Sequence, residues 1–176
     1  MTESEKATLH KILKSQQKKL ICAEIGSYLG ASTCFIANAM PKDSILYCID
    51  TWQNMNMQYV KQDIDAEERD TYFEFRNNTE QYREKIIELR QWSTEAINEI
   101  KKQTNRLNFL FIDGDHHYDL VKKDWDLYSP LLKTGSIVAL HDTGWAQGVQ
   151  QVVREDVIPV ANLINKLPNL EVYRIK

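Results

Sequence analysis

EIGSYLGAS, residues 24–32, follows directly on the apolar run Leu20-Ile21-Cys22-Ala23, and its reading decides the fold. A short apolar strand running into a glycine-bearing turn, with a helix behind it, opens a doubly wound α/β unit. In such sheets this first turn faces the ligand. A dinucleotide turn needs a second glycine two residues after the first, so that the backbone can approach a pyrophosphate. That place holds Tyr28. A P-loop needs Gly-Lys-Ser/Thr, and Gly30-Ala31-Ser32 has no lysine. The turn therefore suits a nucleoside without a pyrophosphate.

Outward from this turn the chain alternates strand-like and helix-like segments. Residues 3–18 carry Leu9, Ile12 and Leu13 at helical spacing on a charged background and predict a surface helix. Strands are predicted at 20–25, 45–50, 86–89, 108–113, 136–141 and 171–175. Helices are predicted at 32–40, 93–102 and 118–128, with another lined by Val149, Val152, Val153 and Val157. This order implies an α/β fold, a Rossmann-like doubly wound and mostly parallel sheet with helices on both faces. Residues 1–176 are expected to form a single domain. The stretch 52–85 exceeds what a crossover needs, and it reads as a lid-like insertion with a polar first half and a helical second half.

Bulk properties narrow the function. The chain has 176 residues and a net charge of −3. There is no lysine-arginine block to meet phosphates, so no nucleic-acid partner is expected. No apolar stretch reaches membrane-spanning length, and MTESEKATLHK has no signal-like apolar region, so no membrane partner is expected. Cys22, Cys34 and Cys48 are odd in number and lie in apolar segments, as reduced core cysteines do. A cytoplasmic protein is expected. Five of the six glycines, Gly26, Gly30, Gly114, Gly144 and Gly148, follow the carboxyl ends of predicted strands, the edge where open α/β sheets bind ligands.

The candidate ligand follows from charge and shape. Glu24 sets a negative charge beside the turn, which repels phosphate and suits an ammonium or sulfonium group. S-adenosylmethionine meets both conditions, being an adenosine with a cationic sulfur and an amino acid tail. Asp50 ends the second strand, where a carboxylate accepts ribose hydroxyls; the plain alternative is a strand-end Asp-Thr turn. Trp92 and Ser93 offer an aromatic face and a hydroxyl to an adenine, or else core packing and a helix N-cap.

EIGSYLGAS, IDTW (49–52), the pair Trp92-Ser93, IDGDHHYDLVKKDW (112–125) and LLKTGSIVALHD (131–142), in this order, resemble the class I S-adenosylmethionine-dependent methyltransferases. The nearest resemblance is to O-methyltransferases of the catechol type and to the macrocin and sugar O-methyltransferases of antibiotic pathways. The likeness covers about residues 18–158. It implies that Glu24, Gly26, Tyr28, Gly30 and Ser32 hold the methionine part of the cofactor, Asp50 the ribose, and Ser93 the adenine, beside the aromatic face that Trp92 offers.

The resemblance also implies a divalent-metal site, magnesium or manganese, at Asp113, His141 and Asp142, with Asp113 at the junction of the cofactor and acceptor pockets. His141 departs from the family's usual oxygen ligand. Imidazole shifts the preference from magnesium towards manganese, iron, cobalt or zinc; otherwise His141 supports the ligands from behind, acts as a base without metal, or merely caps its strand. The general base implied is His116 by the catechol-type pattern or Asp115 by the sugar-modifying pattern. Asp115 can also be the N-cap of the following helix. The expected activity is methyl transfer to a hydroxyl of a small-molecule acceptor. The alternatives are N- or C-methylation without metal, or a nucleotide-binding oxidoreductase, which Tyr28 disfavours. By analogy a homodimer is expected, with the helix at 3–18 and the aromatic segment 72–82 covering a neighbour's site.

Overall fold

The structure is a computed structural model that describes residues 1–53 and 69–176. Helix α1 (Glu3–Lys14) leads into strand β1 (Ile21–Ile25), helix α2 (Ala31–Ala39) and strand β2 (Ile45–Asp50). Helix α3 (Thr71–Thr79) precedes β3 (Ile86–Arg90), α4 (Ser93–Gln103), β4 (Leu107–Ile112), α5 (Tyr118–Tyr128) and β5 (Leu132–His141). Helix α6 (Gln147–Val152) runs on through a π-helical segment, Val153–Val157, into the antiparallel strands β6 (Ala161–Leu167) and β7 (Leu170–Ile175).

The described strands form one sheet in the order β3-β2-β1-β4-β5-β7-β6. Strands β1 to β5 are parallel, and β7 and β6 close the edge in antiparallel sense. The order reverses between β1 and β4, so the loops at their carboxyl ends part there and leave a crevice.

Strand alternation sorts side chains onto two cores. Ala23, Ile25, Tyr47, Ile49, Leu110 and Ile112 face α4, α5 and α6, whose Ile97, Trp125 and Val149 join the same cluster. Cys22, Leu46, Cys48, Phe109 and Phe111 face the other way, against Leu9 and Leu13 of α1, Ile36 of α2 and Phe75 of α3. Both faces are covered, which is why the central strands read as nearly continuous apolar runs. Helix α1 is pinned at its start by a capping box: the Thr2 hydroxyl accepts the Glu5 N–H, and the Glu5 carboxylate accepts the Thr2 N–H.

Three expectations change. A single terminal strand at 171–175 was predicted, and a hairpin is found. The polar sequence of β6, with Asn162, Asn165 and Lys166, gives no strand signal because this strand is the sheet edge and one side of it is exposed. The helical half of the insertion begins at Thr71 and ends in a 3₁₀ turn, Glu80–Tyr82. Its Phe75 is fully buried with its ring 4.8 Å from that of Trp52, which anchors the segment in its own chain, while Phe73 stays 61 % exposed. Of the expected lid, the polar half at 53–63 lies outside the described residues from 54 onward, as do 66–68 at the start of its helical half. Lastly, the N-cap of α5 is His117, not Asp115.

Candidate functional site

The crevice at the switch point is a cavity of about 290 Å³. Gly26 and Tyr28 come from the β1 turn, Asp50 and Thr51 from the end of β2, Gln91 to Thr94 from the β3 turn, and Gly114 and Asp115 from the end of β4. Leu120, Lys123 and Asp124 of α5 form the far wall. Gly26, at φ +89°, has no room for a side chain: a Cβ there would sit 2.2 Å from the carbonyl oxygen of Asp113. The β1 turn can therefore lie flat against the end of β4.

Asp50 knits the turn together. Its Oδ2 accepts the Tyr28 N–H at 2.9 Å and its Oδ1 the Trp52 N–H at 2.8 Å, while the Trp52 indole N–H donates to the Tyr28 carbonyl at 2.6 Å. Burial raises the Asp50 carboxyl above its ordinary value, and these backbone N–H groups pull against that. The Thr51 N–H also bears on it, and a carboxylate with about four lone-pair sites keeps capacity for a ligand hydroxyl. Ser93 donates to Asp124 Oδ1 at 2.5 Å, and burial pushes Asp124 up to about 6. Trp92 stands at the rim, 49 % exposed, and is not core packing.

Glu24, Gly30 and Ser32 do not line this cavity. Glu24 is fully buried beneath the turn, where its Oε2 accepts the hydroxyls of Ser27, at 2.8 Å, and Thr33. Burial raises it to about 7, against the pull of the Ser32, Thr33 and Ser27 hydroxyls. Its place is thus under the loop as a brace, whereas the sequence suggested a charge facing the ligand. Gly30, at φ +83°, is the N-cap of α2, and Ser32 is buried in its first turn.

Beside the crevice, β4 and β5 bring Asp113, His141 and Asp142 together, with one ligand atom from each within 4.8 Å of the others. Neighbours along a strand normally point to opposite faces. Asp142 escapes this by taking φ +60°, a left-handed conformation that Asp tolerates, so it and His141 converge. His141 Nδ1 lies 3.1 Å from Asp113 Oδ1 and 3.1 Å from Asp142 Oδ1. Burial alone would lower the His141 imidazole, but the two carboxylates outweigh it and push it up to about 10. Burial would likewise raise Asp142, but hydrogen bonds with His116 and His141 hold it well below the carboxylate range. Burial raises Asp113 despite His141. Asp113 faces this triangle, while its neighbours Gly114 and Asp115 face the crevice.

The ligand atoms fit a divalent ion, since a 3.1 Å edge joins adjacent vertices of an octahedron with ligand bonds of about 2.2 Å. They fit equally an imidazolium held between two carboxylates.

His116 Nε2 lies 2.7 Å from Asp142 Oδ2, and its ring packs 4.7 Å from that of Trp145, which is 52 % exposed. Hydrogen bonding to Asp142 raises the His116 pKa against the effect of burial. Asp115 Oδ1 accepts the N–H groups of His116 and His117, at 2.7 and 2.8 Å, and lies 2.7 Å from His117 Nδ1. This holds Asp115 against the start of α5.

Sequence reasoning missed four residues here. The Trp145 indole N–H donates to Asp142 Oδ1 at 3.0 Å, and Asn169, in the β6–β7 turn, donates to the same oxygen at 2.8 Å. Asn169 was out of reach once β6 was unread; Trp145, three residues after Asp142 in a predicted loop, carried a signal. Asp124 was detectable as an acid on the inward stripe of α5. Glu5, whose Oε2 stands 3.5 Å from His141 Nε2, was hidden because nothing local in the first helix points to β5.

A family model described as a methyltransferase domain matches residues 23–143. The chain belongs to the methyltransferase domain family. A stretch of this methyltransferase chain, 124 residues or 68 % of it, is 30 % identical to an uncharacterised protein of Sinorhizobium fredii, of which it spans only 13 %. The chain is similar in fold to an O-methyltransferase from Bacillus cereus solved in complex with SAH, with a TM-score of 0.75 and 12 % identity, covering 100 % of this chain and 82 % of that one. It is also similar to TomG, an O-methyltransferase of Streptomyces achromogenes involved in tomaymycin synthesis and solved with SAM. There the TM-score is 0.73 at 13 % identity, covering 100 % of this chain and 81 % of that one. The α/β, Rossmann-like class I methyltransferase fold is thereby established. No helix among the described residues is long and apolar enough to cross a membrane.

Proposed function

We propose that the protein is an S-adenosylmethionine-dependent O-methyltransferase acting on a hydroxyl of a small molecule, such as a sugar, a macrolide-like compound or a phenol, with a divalent ion assisting. The observation that carries this is the adjacency of the two halves: the Asp50-lined crevice opens beside the Asp113–His141–Asp142 triangle. The cofactors named on the two solved relatives, SAM and SAH, support the choice of cofactor. Gly26, Tyr28 and Asp50 hold the ribose end, and Trp92, Ser93 and Thr94 hold the base.

A divalent ion at Asp113, His141 and Asp142 would lower the pKa of the acceptor hydroxyl and fix its direction. The imidazole in this set favours manganese, iron, cobalt or zinc over magnesium. The acceptor oxygen attacks the methyl carbon, the carbon–sulfur bond breaks, and the sulfonium becomes the neutral thioether of S-adenosylhomocysteine. The hydroxyl proton passes to His116 or Asp115, both at the mouth between the two halves. Trp145 and His116, whose rings meet at a tilt, wall the acceptor side. A cytoplasmic homodimer is the accompanying reading, resting on the three free cysteines and on analogy.

Transfer of a labelled methyl group from S-adenosylmethionine to a panel of sugars and phenols, with and without EDTA, tests this reading. No transfer to any hydroxyl, together with tighter binding of NADH than of S-adenosylhomocysteine, would overturn it. Full activity in EDTA would remove the ion and leave the acid–histidine cluster as a metal-free base.

A further inference from the structure

Glu5 sits in the first turn of α1, remote in sequence from every other residue of the site, yet only 1 % exposed. Its Oε2 accepts the Thr2 N–H at 2.6 Å and stands 3.5 Å from Nε2 of His141. On the opposite edge of the same ring, Nδ1 is 3.1 Å from both Asp113 Oδ1 and Asp142 Oδ1. Nε2 is buried and has no hydrogen-bond partner at the present spacing. A contraction of about half an ångström would give it one.

Capping α1 does not require a buried carboxylate, since capping boxes work at the surface. Burying an acid is costly unless another polar group meets it. Besides the Thr2 N–H, the polar group that faces the Glu5 carboxylate is His141. The arrangement is also rigid, because Leu9 and Leu13 of α1 are fully buried in the core that contains Phe111, and Phe111 lies edge-on to the His141 ring with centroids 6.3 Å apart.

A neutral imidazole carries one N–H, and the tautomer is set by whichever nitrogen finds an acceptor. We infer that Glu5 is a positioning residue for His141: it accepts a hydrogen bond from Nε2–H and leaves the lone pair of Nδ1 facing Asp113 and Asp142. Helix α1 thereby belongs to the reaction site and is not merely a cover for the sheet. This inference rests on the ion-binding reading of that triangle.

The test measures manganese(II) binding calorimetrically in the full chain, without cofactor, for the wild type, Glu5→Ala, Glu5→Gln and Thr2→Ala. Glu5→Ala is expected to weaken binding by about ten- to a hundredfold, the usual effect of losing a partner behind a histidine ligand. Glu5→Gln, whose amide oxygen still accepts from Nε2–H, should recover most of it. Thr2→Ala removes the cap and keeps the carboxylate, so it should bind as the wild type does. S-adenosylhomocysteine affinity should not move in any of them. A loss in Thr2→Ala equal to that in Glu5→Ala, or no loss in Glu5→Ala, overturns the inference.

If the wild type binds no manganese, the ion reading fails, and Glu5 is judged separately by NMR of isotope-labelled histidine. A solvent-protected Nε2–H on His141 that becomes exchange-exposed in Glu5→Ala upholds the role. No protected Nε2–H in the wild type overturns it.

Discussion

The two halves of the site are built differently. The crevice draws mainly on the first three strand turns, with the end of β4 and one face of α5 as its far side, and its key side chain, Asp50, is held mainly by backbone N–H groups of Tyr28 and Trp52. The acidic triangle draws on α1, β4, β5 and the β6–β7 turn, and its members hold one another through side chains: Glu5, Asp113, His116, His141, Asp142, Trp145 and Asn169. Backbone-held sites survive side-chain replacement with their shape intact. Side-chain networks lose their geometry member by member. Damage to one half should therefore leave the other standing.

The sharpest attempt to break that separation is Asp142→Ala. It removes the acceptor of His116, His141, Trp145 and Asn169 together, and turnover should fall by about 10²–10³-fold, in the range seen when a transition-state-stabilising group is lost. Affinity for S-adenosylhomocysteine, measured by calorimetry, should stay within about twofold because the crevice contains no part of Asp142. A parallel loss of cofactor binding would mean that the halves are one unit.

Next comes the brace beneath the crevice. Glu24 has its folded-state pKa raised by burial to about 7, so the protonated native state is favoured, and its contribution is complete below about pH 4.5. That contribution is lost as pH rises to about 7, worth roughly 3 kcal/mol at most. Glu24→Gln should erase this pH dependence in urea unfolding monitored between pH 5 and 8. A stability curve of unchanged slope would show that Glu24 is ionised throughout.

On the crevice side, Asp50→Ala should weaken S-adenosylhomocysteine binding by about 1–3 kcal/mol through lost charge-assisted hydrogen bonds. Manganese binding should be untouched. Smallest of all is Ser93→Ala, which removes the 2.5 Å hydrogen bond to Asp124 and should cost about 1 kcal/mol of cofactor affinity. It should also raise the Asp124 pKa further, which infrared titration of the carboxyl would read. An unchanged affinity would place Ser93 outside the adenine contacts.

Legibility followed the same division. Tyr28, Asp50, Trp92 and Ser93 were readable as lining of the candidate crevice because each lies at or just beyond the end of a strand whose apolar run is local in sequence. Asp113, His141 and Asp142 were readable as strand-end residues, but their convergence needed β4 and β5 to be neighbours and Asp142 to turn left-handed. Glu24 was placed correctly on its strand and given the wrong surroundings. A sequence shows that a carboxylate precedes a turn, and only packing shows that Ser27 and Thr33 close over it.

What the sequence by itself determined is the parallel α/β order, the edge of the sheet where the candidate crevice opens and a first turn that lacks the second glycine of a dinucleotide fingerprint. Those depend on local periodicity and on single residues such as Tyr28, whose effects act within a few positions of the chain. What only the tertiary structure decided is the company each charged group keeps: Glu5 behind His141, Asn169 on Asp142, and β6 as a polar edge strand. Those contacts join residues far apart in the chain, and a buried charge is governed by the groups that replace its water, which no local pattern records.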